Sequence, residues 1–104
     1  MNALAYTSMK EQNESREADL TQRLVLVEQK MKETELTIMD DFNIPDSATL
    51  GSIVLGRFYR ELEIIDELFI KSEYQDEITK NIIYDEIEER LEFIKKRLMV
   101  LFYQ

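Results

Sequence analysis

Three stretches of this chain repeat apolar residues at alternating spacings of three and four, and this pattern constrains the fold more than any other feature. The first stretch consists of Leu20, Leu24, Val27, Met31, Thr34 and Ile38. Such spacing places side chains along one stripe of an α-helix, as at the a and d positions of a coiled coil. One proline and two glycines in 104 residues leave few positions that would interrupt a helix.

The second and third stretches contain most of the large rings. They consist of Leu55, Phe58, Leu62, Ile65 and Phe69, and of Tyr84, Ile87, Leu91, Ile94, Leu98 and Leu101. Nine of the ten aromatic residues lie between Phe42 and the C-terminus. Because aromatic side chains dominate core energetics, we expect the core to form where these two stretches pack against each other.

The pattern predicts an all-α fold, either an antiparallel three-helix bundle or a helical hairpin, with a heptad-patterned N-terminal helix. Residues 16–104 would form one domain, and the polar residues 1–15, which lack periodicity, would form a mobile leader. The three helices are predicted at about 16–39, 47–70 and 73–102.

Local signals set these boundaries. Pro45 cannot continue the first helix, and either Asp46 or Ser47 can cap the second. Ser72 is the predicted cap of the third. Ala48, Ser52 and Gly56 form a strip of small residues along the second helix, which predicts a close approach by a neighbouring helix.

The composition argues against most catalytic chemistry. The chain contains no histidine and no cysteine, so it has no imidazole base, no thiol nucleophile and no Cys/His metal ligands. We therefore expect no enzymatic activity, no cofactor and no metal. A cytoplasmic location is predicted, since the chain cannot form disulfides and has no apolar run long enough for a membrane span.

Acidic residues exceed basic ones by 22 to 13, which gives a formal net charge of −9. This charge would repel phosphate backbones and anionic membranes, so neither nucleic acid nor membrane is an expected partner. The candidate acidic patch consists of Asp85, Glu88, Glu89 and Glu92. It is interpreted mainly as a solvated helix face, because acids precede bases by four residues, as in Glu86–Arg90 and Glu92–Lys96.

A basic stripe accompanies the first heptad pattern. Arg16, Arg23 and Lys30 recur every seven residues. Charges at the edges of a coiled-coil interface are the usual explanation of such a stripe, and a site for an anionic ligand is the alternative.

The leading functional hypothesis is a helical protein–protein interaction module, such as an adaptor, chaperone or regulator, which forms homo-oligomers. It depends on apolar residues beyond what one small core would consume. The candidate interface residues are Leu20, Leu24, Val27, Met31, Ile38, Phe93, Val100 and Phe102. The alternative is an acidic inhibitor of phage or plasmid type, which would bind a nucleic-acid-handling protein by electrostatic mimicry.

Overall fold

Three α-helices make up the described part of the chain. The computed structural model describes residues 3–42 and 55–102, with side chains within 7–37 and 55–99. The helices are α1 (Ala3–Phe42), α2 (Gly56–Ser72) and α3 (Glu77–Phe102). Because α3 packs against both α1 and α2, the fold is an all-α three-helix bundle, as predicted.

The helices run up, down and up. Only residues 73–76 join α2 to α3, so these two helices pack antiparallel. Asn13 of α1 contacts Glu77, the first residue of α3, and Arg23 contacts Glu92 further along both helices. Residue numbers therefore increase in the same direction along both helices, so α1 and α3 are parallel.

All three apolar stripes meet in one core. Its buried members are Leu20, Leu24, Val27, Met31, Leu55, Phe58, Leu62, Ile65, Tyr84, Ile87, Leu91, Ile94 and Leu98. Phe69 is partly buried against this cluster, and the side chain of Leu101 lies outside the described residues. The core predicted for the second and third stretches is present, and α1 belongs to it as well.

The first helix is longer than its apolar pattern indicates. It begins at Ala3, whereas the sequence predicts a start near residue 16 and a mobile leader over residues 1–15. Asn13 lies seven residues before Leu20 and is only 5% exposed, so the buried stripe continues into this segment. It continues through a polar residue, which is why apolar spacing alone does not detect it.

The boundary between α2 and α3 also differs from the prediction. Ser72 does not cap α3; it is the last residue of α2, and its hydroxyl donates to the Phe69 carbonyl oxygen at 2.7 Å. The cap is Asp76, whose Oδ1 accepts a hydrogen bond from the Thr79 backbone N–H at 2.7 Å. This bond lowers the pKa of the Asp76 carboxyl group. The predicted caps Asp46 and Ser47, and the predicted start of the second helix, lie outside the described residues.

Gly56 makes no close helix contact. A Cβ atom placed on it would have no heavy atom within 4 Å apart from its local backbone neighbours. The expected close approach is therefore wrong at this position, while Ala48 and Ser52 lie outside the described residues. Glycine here lowers helix propensity without a packing benefit among the described residues.

The molecule is a rod. Its principal extents are 61 × 24 × 15 Å and its radius of gyration is 17.0 Å. A compact chain of this length would have a radius of gyration near 13 Å. The 40 residues of α1 account for the length, because 1.5 Å per residue gives about 60 Å. Within the described ranges, no helix has the length and apolar content needed to cross a membrane.

Candidate functional site

Four of the predicted interface residues lie inside the molecule. Leu20, Leu24, Val27 and Met31 are between 0% and 8% exposed and belong to the core. The prediction that they bind a partner is wrong, because α3 already covers this stripe. The side chains of the other predicted members on helix ends, Ile38, Val100 and Phe102, lie outside the described residues.

Phe93, the remaining predicted interface residue, is partly buried and covered by its own chain. Its ring packs against Phe58 with a centroid separation of 6.4 Å and an interplanar angle of 58°. The guanidinium groups of Arg57 and Arg97 lie 5.0 and 5.5 Å from the ring centroid. Because of the ring contact and these cation–π contacts, Phe93 belongs to the α2–α3 interface and is not available for docking a partner.

The candidate acidic patch is largely paired with α1. Arg16 donates to Asp85 at 2.7 Å and to Glu88 at 2.8 Å, and Arg23 pairs with Glu92. The Arg16 hydrogen bond lowers the pKa of the Glu88 carboxyl group despite its partial burial. The predicted role of Arg16 and Arg23 as interface-edge charges is confirmed, and Asp85, Glu88 and Glu92 do not form a free acidic face.

Glu89 is the exception within the patch. It is exposed, and among the described residues it makes no ion pair within 4 Å. The neighbouring Glu86 pairs with Arg90 at 2.9 Å, as the four-residue spacing predicts. Arg90 also reaches Glu61 of α2 at 2.6 Å, which ties the two helices together.

A buried polar contact joins the first turns of the α1–α3 interface. The Asn13 side-chain amide donates to both the backbone oxygen and the Oε2 atom of Glu77, each at 2.8 Å. Both residues are nearly inaccessible, at 5% and 6% exposure. A single polar pair inside a coiled-coil interface favours one register, since any slip would leave these groups unpaired. Its signal in the sequence is the seven-residue step from Leu20 back to Asn13.

Two tyrosines connect α1 to the other helices. The Tyr59 hydroxyl of α2 donates to Glu35 at 2.8 Å, and the Tyr84 hydroxyl of α3 lies 3.4 Å from Glu17. Partial burial, together with Glu35, raises the pKa of Tyr59 to about 12, and burial also raises the pKa of Tyr84. Both phenols therefore stay protonated near neutral pH and have structural roles.

An open groove runs between α1 and α3 and is called here the α1–α3 groove. Its volume is about 400 Å³, and it includes the buried side chains of Val27, Leu91 and Leu98. Leu26 and Met99 line it from opposite helices and remain 57% and 50% exposed. The charged residues that line it are Arg23, Lys30, Glu33, Glu92 and Lys95. The groove is thus an apolar depression with charged edges and a net positive charge.

A second exposed surface lies on α3 and is called here the outer α3 face. It consists of Ile78, Ile82, Asp85 and Glu89, whose spacings of four, three and four place them on one stripe of the helix. Ile78 is 53% exposed and Ile82 is 62% exposed. This stripe lies away from the buried residues of α3 and combines apolar and acidic groups.

The described side chains contain no group of three or more Asp, Glu, His or Cys residues arranged to hold a metal ion. No protein-family model, curated protein or solved structure matches the chain.

Proposed function

We propose that this chain is a non-enzymatic helical protein–protein interaction module that self-associates, and that its docking surface is the α1–α3 groove. The observation that carries the proposal is the exposure of Leu26 and Met99 beside an apolar depression. Apolar grooves between helices are a common site for an incoming amphipathic helix. The expected partner is another protein, and the expected location is the cytoplasm.

The α1–α3 groove is a different docking surface from the α1 stripe that the heptad pattern predicts. Leu24 and Val27, on the inner stripe of α1, are buried in the core. Leu26 lies outside this stripe and remains exposed. Burying the exposed halves of Leu26 and Met99 against a partner would contribute about 1 kcal/mol for each side chain. These two side chains alone do not offset the entropic cost of association, so a partner must also supply further apolar contacts and matched charges at the groove edges.

The alternative, an acidic inhibitor that mimics nucleic acid, has less support. A mimic requires a row of accessible negative charges. Arg16 and Arg23 neutralise three of the four acidic residues proposed for that row, and only Glu89 remains without an ion pair in the described part of the chain. The same contacts stabilise the α1–α3 interface.

The test compares two substitutions on the same helix. Leu26→Glu places a charge in the groove, and Leu36→Glu makes the same change at a residue that does not line it and is 62% exposed. Light scattering over a concentration series and affinity capture from a lysate are expected to show association for the wild type and for Leu36→Glu. Leu26→Glu is expected to lose that association while keeping its helical circular dichroism.

Identical behaviour of all three proteins would contradict the proposal. A wild type that stays monomeric and captures no partner would contradict it as well. Because both substituted residues are exposed, neither change is expected to unfold the bundle.

A further inference from the structure

The α1–α3 groove and the outer α3 face each contain an exposed charged residue, and the two charges have opposite signs. Lys95 is an exposed lining residue of the α1–α3 groove, and Glu89 is exposed on the outer α3 face. Among the described residues, neither makes an ion pair within 4 Å. The other groove cations, Arg23 and Lys30, already contact Glu92 and Glu33.

The two surfaces also match in shape. The outer α3 face is the convex back of a helix, and the groove is a depression between two helices. Ile78 and Ile82 are one helical turn apart, so both can enter the same groove. Leu26 and Met99 would supply apolar contacts from the two sides.

We propose that the outer α3 face of one copy docks in the α1–α3 groove of a second copy, with Glu89 facing Lys95. This rests on the proposed function, namely that the groove binds a protein, and it names a second copy of this chain as the occupant. The docked α3 would become a fourth helix beside α1 and α3 of the receiving copy. Its isoleucines replace water against Leu26 and Met99.

This arrangement is head to tail, because the two contacting surfaces are different parts of the chain. After two copies have joined, one groove and one outer α3 face remain open. A contact of this type therefore continues to a closed ring or an open filament, and does not stop at a symmetric dimer. The net charge of −9 on each copy opposes this assembly, which makes the local positive charge of Lys95 important for specificity.

Charge exchange tests the proposal directly. Lys95→Glu would place two acids together at the contact, and Glu89→Lys would place two bases together. Each single variant is expected to weaken self-association at least about tenfold in sedimentation velocity over a concentration series. The double variant Lys95→Glu/Glu89→Lys, and an equimolar mixture of the two single variants, are expected to regain most of it.

Matched control variants distinguish the effect of losing the Glu89–Lys95 contact from the effect of changing the net charge. Arg60→Glu changes the net charge as Lys95→Glu does, and Glu63→Lys changes it as Glu89→Lys does. Both control residues are exposed on α2 and belong to neither surface. Both controls are expected to change self-association by less than about threefold, as for exposed charges outside a contact.

The head-to-tail contact is wrong if either single variant behaves like its control, or if the mixture fails to regain association. It is also wrong if the wild type is monomeric at every concentration. In that last case, capture of a different protein that Leu26→Glu abolishes would still support the groove as a protein-docking surface, but it would contradict the self-association that the proposed function includes. If Leu26→Glu keeps both self-association and capture, both proposals are wrong.

Discussion

The two interfaces that α3 makes are built in different ways. Against α2 it packs antiparallel across a short turn, with the Phe58–Phe93 ring contact and the Arg90–Glu61 ion pair. Against α1 it packs parallel, with aliphatic residues inside and arginine–carboxylate pairs along the edge. The second interface has no aromatic residue from α1 among the core members, yet its hydrogen bonds and ion pairs extend from Asn13 to Arg23. Aromatic content therefore does not reveal which helix pairs share a long interface.

The largest expected effect tests whether α1 is as much a part of the core as α2. Leu20→Ala in α1 and Ile65→Ala in α2 each remove a side chain that is at most 1% exposed. Both are expected to lower the free energy of unfolding by about 2 to 5 kcal/mol. Urea denaturation measures this.

The same measurement at two protein concentrations sharpens the comparison. If α1 packs within its own chain, the loss caused by Leu20→Ala is independent of concentration. A loss near zero, or one that grows on dilution, would instead mean that the α1 stripe binds a second molecule.

The next effect concerns the buried polar end of the α1–α3 interface. Asn13→Ala removes the donor that reaches the Glu77 carboxylate and leaves that buried group without it. The expected loss is about 1 to 3 kcal/mol in the free energy of unfolding. Gln12→Ala, at the exposed neighbouring position, is the control and is expected to change stability little. Equal effects of the two substitutions would mean that the contact does not hold the register.

A smaller effect is expected at the charged edge of the same interface. Arg16→Ala removes the ion pairs with Asp85 and Glu88. Because solvent screens these partly exposed pairs, the free energy of unfolding is expected to fall by only about 1 kcal/mol. The pKa of Glu88 is lowered in the folded state, so its contribution is present above its ordinary pKa of 4.5. That contribution is lost as the pH falls through the lowered value.

The wild type is therefore expected to lose more stability than Arg16→Ala on acidification. Unfolding midpoints in urea at about pH 7 and about pH 3 check this, since the interval spans ordinary carboxyl pKa values. Arg60→Ala serves as the control on α2. Equal acid sensitivity of the wild type and Arg16→Ala would contradict the role assigned to the Arg16–Glu88 pair.

The smallest expected effect is a gain. Gly56→Ala adds a methyl group that meets no heavy atom within 4 Å and reduces the freedom of the unfolded chain. Stability is expected to rise by about 0.5 to 1 kcal/mol, measured as a shift of the thermal midpoint. A fall in stability would indicate a close contact at the start of α2 that the described residues do not make.

The sequence predicted the elements well because helical burial follows from spacing. Leu20, Leu24 and Met31 lie in the predicted stripe and are buried. What covers such a stripe is not encoded in its spacing, so the sequence alone does not distinguish a core position from a partner contact. Arg16 and Arg23 pair with acids of α3, but a basic stripe in the sequence does not indicate which helix supplies those acids.

The candidate site was less predictable. Leu26 and Met99 belong to no apolar stripe, and their proximity depends on the parallel register of α1 and α3. That register is associated with the Asn13–Glu77 contact, which joins residues 64 positions apart. The boundary at Asp76 is not predictable for a different reason, since Ser72 and Asp76 are both common capping residues and only the backbone path distinguishes them.

The parallel pairing of α1 and α3 has a consequence for synthesis on the ribosome. Translation at about 5 to 20 residues per second separates the appearance of Asn13 from that of Glu77 by about 3 to 13 seconds. During this time the apolar stripe of α1 has been made, but the helix that covers it has not. A nascent chain of this kind would depend on molecular chaperones, or on its many charges, to avoid aggregation before α3 emerges.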